Sequence, residues 1–216
     1  VRKPFNTMTL FLAALIVTQG LRAAPEPATV PVSWQLTFRY QDPQRVSILL
    51  PGRARPVVYW YMLYTVENPT GREVDFYPEF DLVTDTLKVV RSEIGVSPEA
   101  YRAVERRSGD PLLVPPEKAS GLLRRGKDQA RHSVAIWRDF DAKARAFKVY
   151  VSGLSGEVKR LNNPAFDTDK EESETNKREF LLRKTLEIPY RFPGSERTRP
   201  RTTPERVTGG QKWIMR

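Results

Sequence analysis

The chain is 216 residues long, with no cysteine, a single histidine and a formal charge of +10 at pH 7. Those facts exclude disulfides, thiolate catalysis and any zinc site built from several cysteines or histidines. The charge is unevenly placed. Residues 1–24 carry three basic side chains and no acid, residues 194–216 carry six basic against two acidic, and residues 25–193 hold 27 basic against 24 acidic. The body is therefore nearly neutral, and no nucleic-acid partner is expected of it.

In chain order, the first signal is Arg2-Lys3 before the apolar run Met8–Val17, then Leu21-Arg-Ala-Ala24 and a proline-rich stretch. A basic start, a short apolar run and small residues form the pattern of a secretory signal peptide over 1–24. The run is half the ~20 apolar residues needed to span a bilayer, so no transmembrane span is expected after cleavage. The pattern predicts an extracytoplasmic protein, periplasmic or secreted, that begins between Ala24 and Thr29. An uncleaved anchor or a buried first helix is the competing reading.

Strand patterns dominate the rest of the chain. Trp34, Leu36, Phe38 and Tyr40 alternate with polar residues, the period of a half-buried strand. Arg45–Leu50 is a short apolar segment closed by Pro51-Gly52. Val57–Val66 is apolar or aromatic at nearly every position, which predicts a central strand covered on both faces or bearing a binding surface. Val74–Thr84 resumes strand character with an edge or bulge at Pro78, and Leu87–Val90 is a further short segment. One helix is predicted from Ser97 as cap, Pro98 at the first position and Glu99 in the first turn, ending at Ser108-Gly109. Arg131–Trp137 and Ala146–Ser152 read as a hairpin across Asp139–Ala144. Asp167–Lys177 reads as a charged loop and Phe180–Tyr190 as a long strand. Residues 194–212 read as a disordered or extended basic tail, after which Trp213-Ile-Met215 returns to apolar character and is expected to add a last strand or dock on the sandwich.

About eight strands and one short helix in a connection predict an all-β sandwich over 25–193, with Trp60 as core anchor. The phrases Tyr64-Thr-Val-Glu-Asn68, Val149-Tyr-Val-Ser-Gly-Leu-Ser-Gly-Glu157 and Phe180-Leu-Leu-Arg-Lys-Thr-Leu186 carry a resemblance. Over roughly 34–193 the chain resembles uncharacterised exported bacterial proteins with an immunoglobulin-like β-sandwich. The resemblance implies a fold and an export route and no activity.

Several segments imitate catalytic motifs. Gly121-Leu-Leu-Arg-Arg-Gly126-Lys127-Asp128 follows a phosphate-binding loop until its last residue, where Asp128 replaces the hydroxyl that would meet magnesium. Gly153-Leu-Ser155-Gly-Glu157 approaches a nucleophile elbow but ends in Glu157 and leads into a loop. A serine triad would need His132, which stands at a strand start between Arg131 and Ser133. Asp167, Asp169 and Glu171 alternate as in a calcium loop, yet Glu172 and Arg178 occupy its diagnostic glycine and glutamate positions. Asp75, Glu79, Asp81 and Asp85 offer carboxylates for a glycosidase pair, or a solvated strand face. No cofactor or metal is expected from any of these.

The remaining candidates are Tyr59 and Tyr61. With Trp60, Met62, Tyr64 and Val66 facing the core, the two tyrosines share the opposite face about 7 Å apart. They serve as a stacking platform for sugar rings or a partner if exposed, and as core if the helix covers them. The sequence thus predicts a non-enzymatic exported binding or structural protein of the envelope or secreted fraction, with an envelope protein or polysaccharide as partner. A carbohydrate-binding module using Tyr59 and Tyr61, and an undetected hydrolase, are the alternatives.

Overall fold

The computed structural model describes residues 25–195, 199 and 202–216, so the signal-peptide expectation for 1–24 lies outside the described residues. The elements in chain order are β1 (Thr37–Tyr40), β2 (Gln44–Ile48), β3 (Val57–Asn68), β4 (Val74–Phe76), β5 (Glu79–Thr84) and β6 (Val89–Arg91). Next come α1 (Pro98–Ser108), α2 (Pro116–Ala119), β7 (Gly121–Leu123) and β8 (Gly126–Arg138). The chain continues through β9 (Ala146–Ser152), β10 (Val158–Asn162), β11 (Glu179–Arg191), β12 (Glu205–Arg206) and β13 (Lys212–Met215). The protein is mostly β, as the alternation predicts. It has thirteen strands and two helices among the described residues, more pieces than the eight strands and one helix expected. Turns and prolines cut several of the sequence segments into shorter strands.

Two antiparallel sheets carry the architecture. In the first, β3 is central, with β1 and β2 along one edge and β8 along the other. The second is built on β5, β6, β9 and β11, with β10, β12 and β13 also paired to β11. A small third sheet joins β4 to β7. Alternation along β3 explains the layering. Trp60, Met62, Tyr64 and Val66 point to one side and pack with Phe80, Leu82, Phe147, Val149, Leu186 and Ile188 of the second sheet. The opposite residues Tyr59 and Tyr61 enter a second cluster with Ala100 and Val104 of α1. β3 is apolar on both faces because both faces are covered.

The α1 helix begins as its sequence predicts. Ser97 Oγ accepts the Glu99 N–H at 3.3 Å, Pro98 opens the first turn, and Gly109 ends it in the left-handed region at φ 63° with its N–H donated to Glu105 O. The Ala100 and Val104 face supplies the packing that a three-turn helix needs to persist.

Three expectations are corrected. β8 and β9 do not form a hairpin: β8 pairs with β3, whereas β9 pairs with β5 and β11 in the other sheet. Phe140 in the connection is buried and packs on Trp60, so the turn folds over the end of the core. Val74–Thr84 is not one strand; it breaks at Tyr77-Pro78, and its halves join different sheets. The segment read as a disordered or extended tail does not stand apart from the sheets either: residues 205–206 pair with β11, Pro204 is buried, and Arg199 is 5% exposed. The apolar end adds a last strand, Lys212–Met215, to β11 as its residues predict. Aromatic rings give Arg199 a docking surface that its charge alone does not advertise.

Candidate functional site

Tyr59 and Tyr61 are each 2% exposed beneath α1, so their faces are not a stacking platform. Tyr61 O–H donates to Gln44 Oε1 at 2.9 Å, and burial raises its pKa above the usual phenol value, opposed by Arg107. The correction follows from the apolar face of α1, which needs the same surface.

The imitated motifs fall into ordinary structure. Gly121 and Gly126 start two strands, with β7 paired to β4 and Gly126 opposite Asn68, so no helix follows to cradle a phosphate. Ser155 is buried, its Oγ donating to Trp34 O at 3.1 Å and accepting from Glu157 N at 3.2 Å. In the Asp167–Lys177 loop, Asn176 Nδ2 donates to the carbonyls of Asp167, Lys170 and Glu171, and Asp167 pairs with Lys170 at 2.8 Å. The side-chain amide fills the space a cation would take. Asp81 pairs with Arg91 and Arg216, Asp85 accepts from Arg145 and Ala146, and Asp75 lies in the third sheet. Among the described residues no group of three potential metal ligands converges.

His132 lines a cleft of about 210 Å³ with Ser108, Asp110 and Ser133. Its Nδ1 is 2.7 Å from Asp110 Oδ2, and this hydrogen bond holds the Asp110 carboxyl below its usual range. Both hydroxyls are committed: Ser133 Oγ donates to Val114 O and Ser108 Oγ donates to Glu105 O. Val114 N also donates to His132 O. The histidine fastens the segment after α1 to β8, and the arrangement lacks an activated nucleophile.

The larger opening lies at β13. Arg216 and Arg183 exchange both backbone hydrogen bonds, so Ile214 and Lys212 also turn their amides toward β11, while Trp213 and Met215 turn theirs outward. Lys184 N donates to Glu157 O and therefore faces the other side of β11, toward β10. β13 is thus an edge strand. Among the described residues no backbone group pairs with its outer edge. That edge borders a cleft of about 890 Å³ whose opposite wall is the segment 25–31, with Gln35 and Lys184 also lining it.

The wall is fixed by charge. Ala28 N–H donates to Glu157 Oε1 at 2.7 Å, and Lys184 Nζ donates to Glu157 Oε2 at 2.9 Å. These bonds, the Ala28 one foremost, hold the Glu157 carboxyl below its usual range. Lys159 Nζ donates to Glu26 O, a second tether. Lys184 also lies 5.4 Å from the Trp213 ring, and Gln35 Oε1 is buried without a partner among the described residues. Chemically, the cleft offers main-chain donors and acceptors in strand spacing, an indole and a buried ion pair. Sequence reasoning expected Trp213 and Ile214 to add a last strand or dock, but had no signal for a free edge, because edge position depends on which strand β11 selects. Among the described residues no helix is long and apolar enough to cross a membrane. Compared with known protein families, curated proteins and solved structures, the chain matches none.

Proposed function

We propose that the protein is an exported, non-enzymatic binding protein with an immunoglobulin-like β-sandwich, acting in the cell envelope or secreted fraction. It takes an extended segment of a partner polypeptide against the outer edge of β13. The observation that carries this reading is the unpaired edge presenting Trp213 and Met215 amides and carbonyls into a cleft of about 890 Å³. Strand addition draws affinity from such main-chain bonds and specificity from neighbouring side-chain pockets. Exposed, long edges invite unwanted pairing, and native folds usually blunt them. Here the strand is four residues long and shielded by a strap, which limits access to a single extended chain. The burial of Tyr59 and Tyr61 weighs against sugar stacking.

The test is a screen of the full chain against a random-sequence peptide library, read by amide exchange at β13. Binding peptides are expected to slow exchange at Trp213 and Met215 and to quench or shift Trp213 fluorescence. Met215→Pro removes an outward donor while leaving the bonds to β11 intact. It is expected to weaken binding at least tenfold without unfolding the sheet. Peptides that bind equally well to M215P, or that protect no β13 amide, overturn the reading.

A further inference from the structure

At one edge of the second sheet, β10 and the first turns of β11 run out as a two-stranded arm. Among the described residues β10 pairs with β11 alone, Lys159 opposite Leu182, Arg160 opposite Leu181 and Leu161 opposite Phe180. The face that carries Leu186 and Ile188 into the core is continued along the arm by Leu182, Phe180 and Leu161. Its cover ends there, since Phe180 is 41% and Leu161 40% exposed. On the other face Leu181 and Val158 are exposed as well. Large apolar side chains thus lie open on both faces of a ribbon that has little stability by itself. The main-chain edge is open too. Lys184 N donates to Glu157 O and Asn163 N donates to Arg178 O, so Lys159 and Leu161 between them also turn their amides toward β11. Val158, Arg160 and Asn162 turn theirs outward, where no described backbone group meets them.

Charge is segregated along the arm. The shaft, 158–163 with 177–183, carries Lys159, Arg160, Lys177, Arg178 and Arg183 against Glu179. The loop at its tip, 164–176, carries Asp167, Asp169, Glu171, Glu172 and Glu174 against Lys170. The two excesses are equal and opposite. Arg160 pairs with Glu179 at 3.4 Å and Asp167 with Lys170 at 2.8 Å, each pair within its own part, so neither alters that part's excess. Lys159 Nζ donates to Glu26 O, Arg178 stacks on the Phe166 ring, and Glu172 accepts the Arg178 main-chain N–H. None of these three contacts joins a cation to a carboxylate.

We propose that β10 is the contact through which two copies of this chain associate, edge to edge and antiparallel about a two-fold axis at Leu161. In that register Leu161 faces its own counterpart, and Arg160 exchanges outward main-chain bonds with Asn162 of the second copy. Pro164 ends the register because it has no N–H to give. A two-fold contact needs one patch that complements itself, and this arm does. Laid head to tail, the acidic tip of each copy lies beside the basic shaft of the other. Phe180, Leu161 and their two counterparts then form one apolar strip across four strands. Cations on an edge ordinarily oppose pairing. A register centred on Arg160 would set that guanidinium against itself, whereas the Leu161 register avoids the clash. The contact is short, so the dimer belongs to the weak, concentration-dependent class. It is separate from the β13 cleft, which lies on the other side of β11.

The test is sedimentation velocity of the full chain over a concentration range of about a thousandfold. The native chain is expected to pass from monomer to dimer, and added sodium chloride to weaken the dimer by screening tip from shaft. Leu161→Lys and Leu161→Glu place like charges opposite each other, so each variant alone is expected to stay monomeric where the native chain is dimeric. Their equimolar mixture is expected to dimerise again, which only a register with Leu161 facing itself allows. Arg160→Pro removes an outward donor without touching the ladder to β11 and is expected to abolish association, with melting of the dilute monomer showing that the fold is kept. Met215→Pro is expected to leave the dimer intact. A native chain that stays monomeric, a mixture that does not dimerise, or a dimer that salt leaves unchanged or strengthens overturns the inference. Dimerisation that survives in R160P does the same, and dimerisation lost in M215P assigns the contact to β13 instead.

Discussion

Lys184 Nζ lies 2.9 Å from Glu157 Oε2, and the two side chains are only 4% and 2% exposed. A pair so enclosed adds little net stability against an apolar pair of like size, but removal of one partner strands the other. Lys184→Met should cost about 3–5 kcal/mol in chemical denaturation. The double variant Lys184→Met with Glu157→Leu should recover most of that loss. A double variant no more stable than the single one would mean that the pair is not the cause.

The same carboxylate sets a pH dependence. The folded-state pKa of Glu157 lies below its ordinary 4.5. Its contribution is therefore fully present above pH 4.5 and is lost as pH falls through the lower folded value. Denaturation midpoints between pH 6 and pH 3 should fall more steeply for the native chain than for the double variant. Parallel curves would detach Glu157 from the acid limb.

Trp60 is 1% exposed and bonded to Asp139. Trp60→Ala should cost about 3–5 kcal/mol, as expected for an aromatic deleted from a packed core. Asp139→Ala keeps the indole but removes its acceptor and should cost about 1–3 kcal/mol. A loss below about 1 kcal/mol for W60A would place the ring outside the cooperative core.

Truncation after Pro193 removes β12, β13 and Arg199 together. It uncovers the edge of β11 and the rings of Phe140 and Phe192, so melting should drop by more than about 5 °C, equivalent to a few kcal/mol at this chain length. Equal melting temperatures would show that the tail does not dock.

Gly153 has φ 79°, and a Cβ there would fall 2.4 Å from Tyr77 O. Gly52 has φ 74° with open space around it. Gly52→Ala should therefore cost only the left-handed backbone term, about 1–2 kcal/mol. Gly153→Ala should cost clearly more, because the obstructing atom is backbone. Equal costs for the two variants would remove the packing argument.

Local signals are legible in the sequence wherever one segment determines its own state. Ser97, Pro98 and Gly109 define α1, and the alternation in β3 assigns Trp60 and Tyr59 to opposite faces. The partner of each strand is not legible, because Arg131–Trp137 and Ala146–Ser152 look alike whether they pair together or join separate sheets. The order of the tail is hidden for a related reason. It rests on a two-residue strand and on Arg199 against two aromatic rings, contacts that composition does not register. The candidate site depends on both, since β13 becomes an edge only through its choice of β11.

The crossing of the chain between sheets at Phe140 has a kinetic consequence. Trp60 pairs with Trp137, and Leu186 with Trp213, across long stretches of chain. The pairings of β3 with β8 and of β5 with β9 join segments far apart in the chain, so closure entropy is met before contacts repay it. Topologies of that kind fold in milliseconds to seconds. Val57–Asn68, apolar and covered on both faces in the folded protein, is the segment whose exposure before closure would favour aggregation.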